Sequence, residues 1–139
     1  MQLTSFTDYG LRTLMYLSSR CEDTASVKEV AEYYGISRNH LVKVVHTLSQ
    51  HGYIETTKGK GGGMKIAAGS QNLRLGDLIM QLEPNMNMVE CFDAKNNTCR
   101  ISANCQLKHY LFEATQNFIH TMNKYTLADT VKNKELLFA

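Results

Sequence analysis

Cys91, Cys99 and Cys105 lie within fifteen residues, as Cys91-x7-Cys99-x5-Cys105, and are three of the four cysteines in the chain. Thiolates carried on one loop can converge on a soft metal centre, and a thiolate at the start of a helix, where Cys105 is expected, is favoured by the helix dipole. Three thiolates are one ligand short of the four that zinc sites and most iron–sulfur clusters use. Three buried or incidental thiols are the alternative that spacing leaves open. Cys21 stands apart and reads as a packed or surface thiol. Asp8 and Arg12 sit where a secretory leader would be apolar, so a cytoplasmic protein with reduced cysteines is expected.

A second set of residues is basic. The chain carries only +2 net charge, but Ile36 to Ala67 holds Arg38, Lys43, Lys58, Lys60 and Lys65 against Glu55 alone, a local +4 that suits a polyanion. Arg38, Asn39, Lys43, His46 and Gln50 recur on one face of a predicted helix, and these side chains hydrogen-bond base edges and phosphates. Lys58-Gly59-Lys60-Gly61-Gly62-Gly63 adds two cations and unobstructed backbone amides, suited to phosphate contact or the minor groove. A solvated helix face and an ordinary hairpin turn are the plain alternatives. The glycine run matches neither G-x-x-x-x-G-K-[ST] nor G-x-G-x-x-G, so nucleotide binding is set aside. No residues resemble an enzyme's nucleophile and base, and His40, His46 and His51 fall on or beside the basic helix, so catalysis is not expected.

The elements that must position these groups follow from periodicity. Phe6, Leu11, Leu14 and Leu17 mark a first helix, with Ser5 and Thr7 as candidate caps. Ser26 and Glu29 form a capping box ahead of Val27, Val30, Ala31 and Tyr34, and Gly35 ends that helix. Ser37 is the expected cap of a third helix carrying Leu41, Val44, Val45 and Leu48 inward until Gly52. Tyr53 to Thr57 and Met64 to Ile66 are rich in β-formers and pair as a hairpin with a basic tip. This order is that of a winged helix-turn-helix for double-stranded DNA, with Ser37, Arg38, Asn39, His40, Lys43, His46, Lys58, Lys60, Gly61 and Gly62 as candidate contacts. Leu75, Leu78, Ile79 and Leu82 suggest a fourth helix ended by Pro84.

Periodicity vanishes from Asn85 to Asn104. Leu107, Leu111, Ala114, Phe118, Thr121 and Tyr125 then mark a helix of about eighteen residues, whose simplest cover is the same helix of a second copy. The fold is thus expected to be mostly α with a small β-hairpin, and to divide into four parts. A winged helix-turn-helix spans residues 1–67, a connecting helix 68–84, a cysteine loop 85–105, and a long dimerisation helix with a C-terminal segment 106–139. The 43% of hydrophobic residues is enough for one core, and no window approaches the roughly 18 uninterrupted apolar residues of a membrane span.

These motifs carry a resemblance. MQLTSFTDYGLR at Met1–Arg12, GISRNHLVK at Gly35–Lys43, Gly59 to Gly63, and RLGD at Arg74–Asp77 leading to Leu82-Glu83-Pro84 all belong to it. With the three cysteines and NKYTLAD at Asn123–Asp129, the pattern resembles the winged-helix Fe-S transcription regulators over nearly the whole chain. Within that family it is similar to the NsrR-like nitric-oxide-sensitive repressors more than to the IscR-like regulators of cluster assembly, whose histidine ligand position is occupied here by Lys108. The resemblance implies a homodimeric repressor. It also implies an iron-sulfur cluster (2Fe-2S or 4Fe-4S) on Cys91, Cys99 and Cys105, with Asp8 of the other subunit as fourth ligand and nitric oxide as the signal. The seven residues between Cys91 and Cys99 exceed the family pattern and leave the nuclearity open. The alternatives are a regulator of iron–sulfur or cysteine metabolism with this fold and another input, and a metal or redox protein without DNA.

Overall fold

A computed structural model describes all 139 residues, Met1–Ala139. α1 (Ser5–Ser19) starts where Thr4 is extended and its hydroxyl accepts the Thr7 N–H, so the cap is Thr4 rather than Ser5 or Thr7. α2 (Val27–Tyr34) is capped by Ser26, which accepts the Glu29 N–H as predicted. The reciprocal half of the capping box is missing, because the Glu29 carboxylate accepts the Tyr16 hydroxyl at 2.8 Å and pairs with Arg20 at 3.0 Å. Gly35 then closes α2 in the left-handed conformation, returning its N–H to the Ala31 and Glu32 carbonyls. α3 (Arg38–Gln50) follows directly. Leu14 and Leu17 of α1, Val30 of α2, and Leu41, Val44 and Leu48 of α3 are fully buried against one another, the residues the helical spacing selects.

β1 (Ile54–Thr57) and β2 (Gly63–Ile66) form the antiparallel hairpin, in register from Ile54 opposite Ile66 to Thr57 opposite Gly63. Ala25, in the connection before α2, pairs with Met64 through two backbone hydrogen bonds of 2.9 and 2.8 Å. The outer edge of β2 is thereby tied to the helices one residue pair short of the tip, and the tip itself projects.

α4 (Leu75–Leu82) buries Leu75, Leu78, Ile79 and Leu82 and ends ahead of Pro84. Residues 85–105 follow without one buried side chain, their single regular turn being 3-10 at Glu90–Phe92. α5 (Gln106–Met122) is 17 residues long and buries only Thr115. The apolar stripe runs on to Tyr125, but the helix stops at Met122 for a tertiary reason. The Asn123 side chain accepts the Asp77 N–H and donates to the Asp77 carboxylate, both at 3.0 Å, and Leu75 N–H bonds the Tyr125 carbonyl. Leu127 then returns fully buried to the core. A short α6 (Lys134–Leu137) ends the chain, and Phe138 packs edge-on to Tyr16 at 5.6 Å, a contact no sequence pattern announces. No helix is long and apolar enough to cross a membrane.

Gly76 makes the join of α4 to α5 possible. A Cβ there would lie 2.4 Å from Asn123 Oδ1 and 2.7 Å from the Ile119 carbonyl oxygen. Gly76→Ala is therefore expected to push the two helices apart and to lose about 1–3 kcal/mol of stability, despite alanine's better helix propensity. Urea unfolding measures it, and a variant as stable as wild type would contradict this packing.

Candidate nucleic-acid interface and cysteine segment

On α3, burial of Leu41, Val44, Val45 and Leu48 leaves Arg38, Asn39, Val42, Lys43, His46 and Gln50 exposed. The first turn is open: Ser37 sits at the cap position but its hydroxyl makes no capping bond. His40 differs from the other candidates, being half-buried with its ring edge-on to Tyr9 at 5.0 Å. Lys58 and Lys60 are exposed at the wing tip. The glycines there set the shape as well as the approach: Gly61 is left-handed at φ 79°, and a Cβ on Gly62 would fall 2.4 Å from the Thr57 carbonyl oxygen. Lys65, by contrast, is spent within the protein, 3.6 Å from Glu22 and 3.7 Å from Glu55.

One cation escapes the sequence reading. Lys28, in the first turn of α2, lines the same cleft as Arg38, Gly59 and Gly62, between the N-terminal end of α2 and the wing. Its position just inside a capped helix that precedes the recognition helix was the available signal, since the first helix of such a pair crosses the phosphate backbone.

The arrangement separates two kinds of contact. Lys60→Ala is expected to weaken binding to all duplexes alike and to lower the salt slope by about one, whereas Arg38→Ala changes the preferred sequence. Titrations of several duplexes across salt concentrations check this. An altered operator preference in Lys60→Ala would reverse the assignment.

The three cysteines of the 85–105 segment are free and half-buried. Cys91 lies in the turn that Phe92 anchors to Phe112 of α5, ring centroids 6.1 Å apart. The Cys99 N–H donates to Asn97 Oδ1 at 3.0 Å, and Asn97 also donates to Ser102 Oγ at 2.9 Å. Cys105 occupies the N-cap of α5 without a side-chain cap bond, as its expected place at a helix start implies. Within one chain no three His, Cys, Asp or Glu side chains gather as a metal-holding group. Apart from the Phe92 contact the segment is held by local polar bonds and none of its side chains is buried, so rearranging it sacrifices little core packing.

Its entry is nevertheless bolted down. Glu83, the last residue before Pro84, accepts the Thr4 N–H and the Thr4 hydroxyl, each at 3.1 Å, and the hydroxyl of the fully buried Thr7. The next residue of that first turn is Asp8. Its carboxylate is held by Arg12 through two contacts, 2.8 Å and 2.9 Å, an i,i+4 pair on one face of α1. The Arg12 guanidinium lies 5.9 Å from the Tyr34 ring centre, and the Tyr34 hydroxyl donates to the Arg12 carbonyl at 3.1 Å. Burial, with help from Tyr33, pushes the Tyr34 phenol up to about 12.

Comparison with known proteins identifies the family and the fold. The model of the Rrf2 family, described as "Iron-dependent Transcriptional regulator", matches residues 3–133. The HTH-type transcriptional regulator NsrR of Bacillus subtilis is 46% identical over 136 residues, covering 97% of this chain and 93% of that protein. The regulator of the same name from Shouchella clausii is 44% identical over 140 residues, covering 100% and 94%. Among solved structures, T. potens IscR superposes with a TM-score of 0.77 at 21% identity, covering 100% of this chain and 92% of that one. Iron would meet a compatible donor set here: three thiols, none in a disulfide, with a carboxylate in the first turn of α1.

Proposed function

The chain belongs to the Rrf2 family of iron-dependent transcriptional regulators, and from that premise we propose a homodimeric repressor that leaves its operators when nitric oxide attacks an iron–sulfur cluster on Cys91, Cys99 and Cys105. One observation carries the reading. The cysteine segment contributes nothing to the core, yet it leaves α4 at the residue whose carboxylate is bonded to the first turn of α1. A rearrangement of that segment therefore pulls on the helix against which α3 is packed.

A cluster bound there would supply iron reactive toward nitric oxide, held by thiolates of Cys91, Cys99 and Cys105. The rest is done by the chain. Residues 85–105 supply the thiols, and Asp8 of the partner subunit supplies an oxygen donor, a poor match for iron among thiolates and so the ligand most readily displaced. Asp8 would turn to that role an oxygen now paired with Arg12. The pair is exposed, and such pairs are worth about 0–1 kcal/mol, so the exchange costs little. Arg12 also lies against the Tyr34 ring, so the residue paired with Asp8 on α1 touches α2 as well.

The division of labour proposed is residues 1–67 for DNA, 68–84 as connector, 85–105 for the cluster and 106–139 for dimerisation. On α5, Leu107, Tyr110, Ala114 and Thr121 are exposed along the predicted stripe, and a second α5 covers them. That seam sets the separation of the two recognition helices, and half-sites about one turn apart, roughly 34–36 Å, tolerate little error in it. Iron and acid-labile sulfide analysis with a visible absorption spectrum, together with salt-dependent operator titration, tests the reading. A coloured protein holding both elements is expected. A colourless protein that binds operator equally well would point to a regulator of this fold with another input.

A further inference from the structure

Apart from the terminal Met1, residues 1–67 expose two large apolar side chains, Tyr33 and Val42. Tyr33 is accounted for: its hydroxyl donates to the Leu137 carbonyl at 3.2 Å, and its ring lies 5.8 Å from that of Phe138. Val42 has no such explanation. It is 48% exposed, it is not among the side chains packed on the core, and it sits on α3 with Arg38 and Asn39 one turn before it and His46 one turn after. Every other exposed position of α3 is polar. A β-branched residue in the middle of a solvent-facing helix is also a poor local choice, since alanine, lysine or glutamate forms helix better and valine loses rotamer freedom there. Neither the helix nor the core asks for valine at this place.

The major groove offers one apolar feature to a helix, the C5-methyl of thymine, standing among hydrogen-bonding edges that arginine and asparagine read. We infer that Val42 is a specificity-determining residue that packs its methyl groups on a thymine C5-methyl, beside the base pairs read by Arg38 and Asn39. The inference rests on α3 being the helix that enters the groove. It makes part of the operator preference apolar, and so independent of salt, in contrast to the contribution of Lys60.

The test separates this claim from its premise. The full-length protein first selects a duplex from a randomised pool, and each thymine of the selected duplex is then replaced by deoxyuridine, which removes the C5-methyl and nothing else. Wild type is expected to lose about fourfold in affinity per half-site at one symmetry-related thymine, the effect of one methyl group removed from contact. Val42→Ala, a substitution at an exposed site that favours the helix, is expected to bind the thymine duplex more weakly and to be indifferent to deoxyuridine at that position. A wild type that tolerates deoxyuridine at every thymine, or a Val42→Ala protein that loses as much as wild type, overturns the assignment of Val42. Selection of no sequence at all overturns the placement of α3 in the groove, and the inference with it.

Discussion

Cys99→Ala is expected to fold and dimerise like wild type and to lose both the visible chromophore and the response to nitric oxide. The side chain is half-buried in a segment that gives no residue to the core, so its truncation costs well under about 1 kcal/mol of stability. Its effect on the proposed ligand set is of another order, because two thiolates and one carboxylate cannot hold a cluster that uses four ligands. Operator affinity should fall to that of the iron-free protein, on the order of 10- to 100-fold below the loaded form, within the usual range of coupling between two sites. Cys21→Ala is the control: this thiol is exposed beyond the end of α1, 3.8 Å from the Lys134 ammonium and outside the cysteine segment. Asp8→Ala should be intermediate, keeping iron but holding it more loosely. Iron content, spectrum and operator titration, made anaerobically on the three variants, decide the matter. A Cys99→Ala protein that still releases operator on nitric oxide would remove the cluster from the switch.

Tyr110→Asp should convert the dimer to a monomer without unfolding it. Tyr110 is 63% exposed in the chain, so a charge there disturbs no internal packing. In the proposed seam the same carboxylate would be buried against a second α5 with nothing to neutralise it. Phe118 lies on the same stripe but is half-buried against the N-terminal segment, with Leu3 and Met86 around it, so its replacement would mix assembly with folding. Sedimentation should show a monomer, and circular dichroism the helix content of wild type, with a melting temperature lowered only by the lost association. Operator binding should weaken on the order of 10²-fold or more, because the second half-site is no longer reached at high effective concentration. A dimer unchanged by Tyr110→Asp would place the subunit contact elsewhere.

Most of residues 1–67 can be read from the chain because the determinants there are local. The inward set Leu41, Val44, Val45 and Leu48 follows from a period of 3.6 residues, Ser26 caps α2 with its own hydroxyl, and Gly35 and Pro84 act through their own backbones. What escapes the sequence depends on residues far apart in the chain. Asn123 ends α5 early because Asp77 is beside it, and Gly76 is required because the Ile119 carbonyl is. Glu29 leaves its capping box for Tyr16 and Arg20. Phe138 finds Tyr16 across the whole length of the chain. The candidate site divides in the same way. The outward residues of α3 and the wing were legible, whereas the cleft of Lys28 and the bond from Glu83 to Thr4 needed the fold, and the three cysteines are legible as a set whose gathering one chain does not display.

The central claim, that nitric oxide acts on this chain's iron–sulfur centre to release DNA, is tested most directly by one titration. The affinity of the anaerobically prepared, iron-loaded wild-type dimer for its selected operator is measured before and after addition of nitric oxide stoichiometric with iron. A loss of at least about tenfold, matching the affinity of the same protein stripped of iron, is the result expected. Unchanged affinity after nitric oxide, with the visible spectrum bleached, would show that the centre reacts but does not govern DNA binding, and would contradict the mechanism proposed for this protein.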